Sequence, residues 1–174
     1  VLSLSRIRAQ NTTMLTLVPL AVRPLIEQEL AVVQQAIERQ HLTINNQVDA
    51  DLMITSDSQK LSQIIKNLLT NAIKYNRPHG SVTIATMVSH QTWSLIVKDT
   101  GIGISADDQQ RIFERFYRAS PSRSQQLVSG TGLGLAIVQE LVNAMHGTID
   151  VVSQRGVGTT MTVTLPLAAS ASEQ

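Results

Sequence analysis

The 174-residue chain has no cysteine, which excludes disulfide frameworks, thiolate zinc sites and cysteine nucleophiles together and fits a reducing compartment. Aromatic residues make up only 3% of it, too few for the stacking platforms that hold single-stranded nucleic acids. Charge of one sign is also lacking: 14 basic side chains face 13 acidic ones, and a net charge of +1 creates no field toward nucleic acid or an anionic membrane. No apolar run approaches the roughly 20 residues of a membrane span, and no signal-peptide pattern is present. The first residue is Val1, and we expect a fragment or processed piece.

What is present has a globular balance, 43% apolar and 16% charged, at a length suited to one domain with a short extension. Residues 1–10, VLSLSRIRAQ, read as the end of a helix. MLTLVPLAV supplies a strand running to Pro19, and a helix is predicted from Arg23 to Arg39, with Pro24 in its first turn and Ile26, Leu30, Val33 and Ile37 as its apolar stripe. Strands are predicted at His41–Val48 and Leu52–Thr55, then a helix from Asp57 to Tyr75 capped by Ser56 or Asp57. Val82, Ile84, Thr86 and Val88 alternate as a strand, as do Trp93, Leu95 and Val97. A short helix is expected over Ala106–Phe113. The aperiodic stretch RASPSRSQQLVSG reads as a mobile loop. A long helix from Leu133 to His146 should end at Gly147 as a left-handed cap. A closing hairpin turns at Gly156–Gly158, and the tail beyond Pro166 is expected to fray. The sum is an α+β fold, a two-layer α/β sandwich in which a mixed, largely antiparallel sheet of about five strands carries three helices on one face.

Three stretches ask for more than packing. In NLLTNAIKYN, residues 67–76, the leucines and alanine belong to the core face, yet Asn67, Asn71 and Lys74 align on its flank. Any one asparagine there is best read as solvated. Three polar groups in register suit a site, with a hard amide oxygen for Mg²⁺ and a cation for phosphate oxygens. In DTGIGI, Asp99 ends a strand and Gly101 and Gly103 let backbone approach a flat ligand closely. A turn aspartate with its usual glycine is the plain alternative. The S-x-x-D start at Ser105–Asp108 and the helix that follows weigh against it; in that helix Phe113 and Phe116 read as a packing anchor. In GTGLGLAIV, glycines 130, 132 and 134 run into a helix whose bare N-terminal amides suit an anion. No lysine follows them, so this is no P-loop, and Leu135 stands where the dinucleotide fingerprint needs its third glycine.

Taken in order, these stretches resemble the ATP-binding catalytic domain of two-component sensor histidine kinases. NLLTNAIKYN resembles the N box, DTGIGI the G1 box, IFERFYR the F box, GTGLGLAIV the G2 box and GVGTTMTV the closing G3 segment, together covering roughly residues 14–167. The resemblance implies ATP and Mg²⁺ as ligands. It implies Asn71 as the Mg²⁺ ligand, Asn67 beside the phosphate tail, Lys74 and Arg118 on phosphate, and Tyr75 on the nucleotide's flank. Asp99 would bind the adenine amino group beside Gly101 and Gly103, with Thr159 assisting through water. Gly130, Thr131, Gly132, Leu133 and Gly134 would shape a mobile ATP lid. The wider superfamily carries a glutamate, base for water, where Asn67 stands. An amide cannot take a proton, which favours phosphoryl transfer over hydrolysis.

The same resemblance implies a domain plan: residues 1–13 as the remnant of the dimerisation and phosphoacceptor helix with its linker, 14–167 as the catalytic domain, and 168–174 as a flexible tail. None of His41, His79, His90 and His146 has the setting of a phosphoacceptor. The expected partners are therefore a separate dimerisation domain, a response regulator and a second copy of the full-length kinase, without nucleic acid. The expected location is cytoplasmic, below a membrane-integral parent. Two departures stand out: Asn76-Arg77-Pro78-His79 where many relatives have Ser or Thr before Pro, and Met161 where an aromatic is frequent. A regulatory module that only senses ATP, or a relative that phosphorylates serine, would be the competing readings. The full phosphate apparatus opposes the first, and the helical remnant at Leu2–Arg8 opposes the second.

Overall fold

The computed structural model describes residues 15–114 and 134–168. Strand β1 (Leu17–Ala21) pairs antiparallel with β3 (Met53–Asp57) in a two-stranded ribbon, with Pro19 opposite Thr55. The main sheet has five strands in the order β2 (Thr43–Gln47), β4 (Ser81–Val88), β5 (Thr92–Asp99), β7 (Gly158–Pro166), β6 (Thr148–Gln154). Only β2 and β4 run parallel; the other three pairings are antiparallel. The expected sandwich, with its mixed and largely antiparallel sheet, is therefore what forms.

Period-two patterning explains the layers. Val82, Ile84, Trp93, Leu95, Val97, Met161, Val163 and Leu165 are buried on one side of the sheet, and their register stacks Ile84 against Val97 and Leu95 against Val163. The helices that cover this side are α1 (Val22–Val32), α3 (Ser58–Lys74) and α5 (Gly134–Ala144). Leu61, Ile64, Ile65, Leu68, Leu69, Ala72 and Ile73 form the buried stripe of α3, at helical spacing. Of the two capping candidates, Asp57 is the cap: its Oδ1 accepts from the Lys60 N–H at 3.1 Å and its Oδ2 from the Thr16 N–H at 3.0 Å.

Four local expectations need correction. The helix predicted over 23–39 breaks at Val33 (φ −101°, ψ 10°) into α1 and α2 (Gln34–Gln40). The adjacent β-branched pair Val32–Val33 resists helical χ1 restriction, and Val32, 68% exposed, gains no burial to offset it. His41, expected in a strand, instead takes φ 56° and caps α2, its ring stacked at 5.0 Å on that of His79. The helix expected over 106–113 is a single turn, α4 (Ala106–Gln109), capped by Ser105 Oγ on the Asp108 N–H at 3.2 Å. At the end of α5 the left-handed residue is His146 (φ 61°) and not Gly147. Gly147 answers a different need, since a Cβ there would overlap the Thr164 carbonyl oxygen.

Candidate functional site

The site lies where the C-terminal end of β5 meets the end of α3 and the β6–β7 turn. Asp99 is the last residue of β5, opposite Thr159 of β7, which in turn lies opposite Ser153 of β6. Asp99 alternates with the buried Val97 and Leu95, and Thr159 with Met161 and Val163, so both side chains project to the helix side of the sheet. Asp99 Oδ1 accepts from the Gly101 N–H at 2.9 Å and the Thr159 N–H at 3.2 Å, which leaves Oδ2 for a ligand. Burial pushes the carboxyl up to about 6, and the two backbone N–H groups hold it from rising further.

The glycine turn after Asp99 is pinned on both sides. The Ile102 N–H donates to the Tyr75 carbonyl at 3.0 Å, and the Ile102 carbonyl accepts from the Gly156 N–H at 2.8 Å. A Cβ at Gly101 would overlap the Tyr75 carbonyl oxygen. One at Gly103, whose φ is 71°, would overlap the Gln154 carbonyl oxygen. Both predicted glycines are thus required by close backbone approach. Tyr75 itself is the C-cap of α3, half-buried beside this turn.

From Tyr75 the helix α3 carries the other candidates away from the aspartate. Lys74, Asn71 and Asn67 are all half-buried on it, and Lys74 is engaged by a partner in the structure. No hydrogen bond among the described residues holds the carboxamides of Asn67 or Asn71. Gly134, the first residue of α5, abuts this row: a Cβ there would sit 3.6 Å from Asn67 Oδ1. The eight residue steps from Asn67 to Tyr75 span about 12 Å of helix, the order of length between the base and terminal phosphate of a nucleoside triphosphate. Arg118 and lid residues Gly130, Thr131, Gly132 and Leu133 lie outside the described residues, as do the serine-rich loop, the N-terminal helix remnant and the tail beyond 168. Among the described residues no cluster of three His, Cys, Asp or Glu could hold a metal ion.

Two supporting residues, Ser153 and Gln109, were not singled out in the sequence, and two more, Asn76 and Arg77, were noted there only as a departure. Ser153 Oγ accepts from the Ile104 N–H at 2.8 Å and contacts Gly158 O at 3.0 Å and Thr159 Oγ1 at 2.8 Å. Gln109 Nε2 donates to the carbonyls of Ile104 (2.9 Å) and Ser153 (3.0 Å). Asn76 Nδ2 donates to Ser81 O at 3.0 Å while its Oδ1 accepts from Arg77 N at 2.8 Å and Thr100 Oγ1 at 3.3 Å. The Arg77 guanidinium closes the ring on the Gly156 carbonyl. The departure at Asn76-Arg77 is therefore a structural knot behind the site. A polar residue after a helix cap gave its only sequence signal, and Ser153 gave none until the β6–β7 register was known.

A sheet ending in an acceptor aspartate, backed by a helix of aligned amides and lined by glycine turns, defines a nucleotide-binding domain, and comparison with known proteins agrees. Residues 56–169 match the family described as histidine kinase-, DNA gyrase B-, and HSP90-like ATPase, and the chain belongs to that family. It is 43% identical over 132 residues to the sensor histidine kinase WalK of Bacillus subtilis, an alignment covering 74% of this chain and 21% of WalK. The fold superposes on full-length ShkA, solved in complex with AMPPNP, with a TM-score of 0.80 at 28% identity, covering 95% of this chain and 35% of ShkA. The catalytic domain of the histidine kinase ThkA shares the fold with a TM-score of 0.77 at 20% identity, over 88% of this chain and 99% of that one. The chain thus spans about a fifth of the length of WalK. No helix among the described residues is long and apolar enough to cross a membrane.

Proposed function

We propose that this chain binds Mg-ATP along α3 and presents the γ-phosphoryl group to a histidine on a separate dimerisation domain, as the catalytic part of a two-component sensor kinase. The observation that carries this reading is the pairing of Asn67 with Gly134: an amide, unable to act as a base for water, stands where the backbone of α5 begins. The Asn67 amide cannot take a proton from water, which favours transfer of the phosphoryl group to a nucleophile supplied by another protein surface. The imidazole nitrogen of that histidine attacks phosphorus, the bond to the bridging oxygen breaks, and ADP leaves. When bound, Mg²⁺ neutralises phosphate charge. Asn71 has the right chemistry to hold it, with a hard amide oxygen that no described group occupies.

In this reading Asp99 and Thr159 hold the adenine edge, Gly101 and Gly103 let the turn approach the ring, and Tyr75 covers its flank. Lys74 and Arg118 offset phosphate charge, while Gly130, Thr131, Gly132, Leu133 and Gly134 close over the phosphates. Residues 1–13 lead from the dimerisation helix, 14–167 are the catalytic unit and 168–174 a tail. The whole kinase acts as a homodimer with a response regulator, below a membrane-integral sensor. The similarity to WalK, by its name a sensor histidine kinase, supports the kinase part of this reading. The test is calorimetric titration with ATP, in Mg²⁺ and in chelator, followed by addition of a histidine-bearing dimerisation domain and labelled ATP. Metal-dependent binding and label on the added histidine are expected. Binding with label released as free phosphate would sink phosphotransfer in favour of hydrolysis.

A further inference from the structure

The Ser153 hydroxyl has one proton and two lone pairs, and the structure gives it three partners. The Ile104 N–H at 2.8 Å can only donate to it, and the Gly158 carbonyl at 3.0 Å can only accept from it. The single Ser153 proton therefore goes to Gly158. Any other choice sets two oxygen lone pairs against each other at 3.0 Å. The third contact, to Thr159 Oγ1 at 2.8 Å, then has one solution: Thr159 donates and Ser153 accepts. With its proton committed, Thr159 can offer only lone pairs to anything that reaches it. Beside it across the β5–β7 ladder stands Asp99, whose Oδ1 is filled by two N–H groups and whose Oδ2 is another acceptor. Thr159 and Asp99 thus present acceptors side by side on the helix side of the sheet, and Ser153, whose own proton and lone pairs are all used, fixes the first of them.

We propose that Ser153 is a positioning residue that fixes the Thr159 hydroxyl proton, so that the base site accepts 6-amino purines and rejects 6-oxo purines. This rests on the nucleotide reading above. An exocyclic amino group brings two hydrogens directly to such a row. A 6-oxo group brings lone pairs against lone pairs. Freed from Ser153, the Thr159 hydroxyl can turn and donate to the oxo group, and the discrimination relaxes. Gln109, which donates to the carbonyls of Ile104 and Ser153, holds the arrangement from behind.

The experiment is equilibrium titration of the whole chain with ATP and with inosine triphosphate, which differs at the base edge while keeping ribose and phosphates. Wild type, Ser153→Ala, Ser153→Thr and Thr159→Val are compared, with thermal unfolding of each as a check on folding. Wild type should prefer ATP at least tenfold. Ser153→Ala should cut that ratio about fivefold or more, and Ser153→Thr, which keeps the hydroxyl, should restore it. Thr159→Val leaves the bonds from Ser153 to Ile104 and Gly158 intact, and it should also lower the ratio; this keeps the proposal testable if Ser153→Ala fails to fold. A Ser153→Ala chain that loses both affinities by the same factor makes Ser153 a brace only, and the proposal falls. An unchanged ratio in Thr159→Val overturns it as well. A wild type that binds neither nucleotide overturns the nucleotide reading itself, a different outcome from a wild type that binds both without preference.

Discussion

The carbonyl oxygen of Tyr75, the cap of α3, accepts the N–H of Ile102 at 3.0 Å, tying the helix of aligned amides to the glycine turn that follows Asp99. The two halves of the candidate site are therefore joined backbone to backbone. Gly101 sits at the junction, where a methyl group would overlap that same carbonyl and crowd Asp99 Oδ1 at 2.9 Å. Backbone cannot rotate aside as a side chain can. Gly101→Ala should displace the turn, lower ATP affinity more than tenfold in calorimetry and destabilise the fold by about 1–3 kcal/mol. Wild-type affinity in that variant would mean the turn is not held as described.

Asp99 makes a pH prediction with opposite signs for stability and binding. Its folded value is pushed up to about 6 from 3.8 by burial. Between those values the folded chain keeps a proton that the unfolded chain has lost. This group's contribution to stability thus falls as pH rises from about 4 to 6 and is flat above. Its ceiling is about 3 kcal/mol, reduced by the solvent that reaches a half-buried group. Binding runs the other way, because Oδ1 is taken by two backbone N–H groups and only the ionised carboxylate keeps Oδ2 a pure acceptor for an amino group. Urea midpoints between pH 4 and 8 should show the stability trend in wild type and lose it in Asp99→Asn. ATP affinity should climb through pH 6 and then level. Asp99→Asn should abolish ATP binding, its amide being a weaker and misdirected acceptor.

Asn71 carries the metal assignment. Asn71→Ala should remove mainly the Mg²⁺-dependent part of ATP affinity and leave the affinity in chelator within a few-fold of wild type. Equal losses with and without metal would assign Asn71 to the phosphates or to helix packing.

Asn76 knots the chain behind the site, reaching Ser81, Arg77 and Thr100 with one carboxamide. Asn76→Ala leaves the Arg77 N–H and the Ser81 carbonyl without these partners, and we expect a loss of about 1–3 kcal/mol in denaturant unfolding. Asn76→Ser, whose hydroxyl can still donate or accept there, is expected to recover part of that loss.

The layers of the fold were legible because α3 and the central strands each bury one face. Leu61 to Ile73 repeat at helical spacing, and Trp93, Leu95 and Val97 alternate, so periodicity alone orders them. The turn at Asp99, Gly101 and Gly103 was legible because a short motif keeps it in one stretch. Ser153 was not, since its role depends on facing Thr159 across a hairpin register that no local pattern encodes. The break at Val33 was missed for a related reason. The apolar stripe continues through it, and only the exposure of Val32 shows that packing does not hold the helix straight there.

The end of α5 yields a test in which two neighbouring residues should respond in opposite directions. His146 holds φ 61°, a conformation costly for a residue with a Cβ, while Gly147 shows no positive φ and is confined by the Thr164 carbonyl and, at 2.5 Å, by Leu165 Cδ2. His146→Gly removes the strain at an exposed position and should stabilise the chain by up to about 1 kcal/mol, less the greater freedom glycine gives the unfolded state. Gly147→Ala drives a methyl into the backbone of β7 and should destabilise by more than about 2 kcal/mol. Thermal midpoints of the two variants decide it. If Gly147 were the left-handed cap that the sequence suggests, His146→Gly would bring only the entropic loss and lower the midpoint. Both sites lie at the far end of α5 from Gly134, so ATP affinity should stay at the wild-type value in His146→Gly.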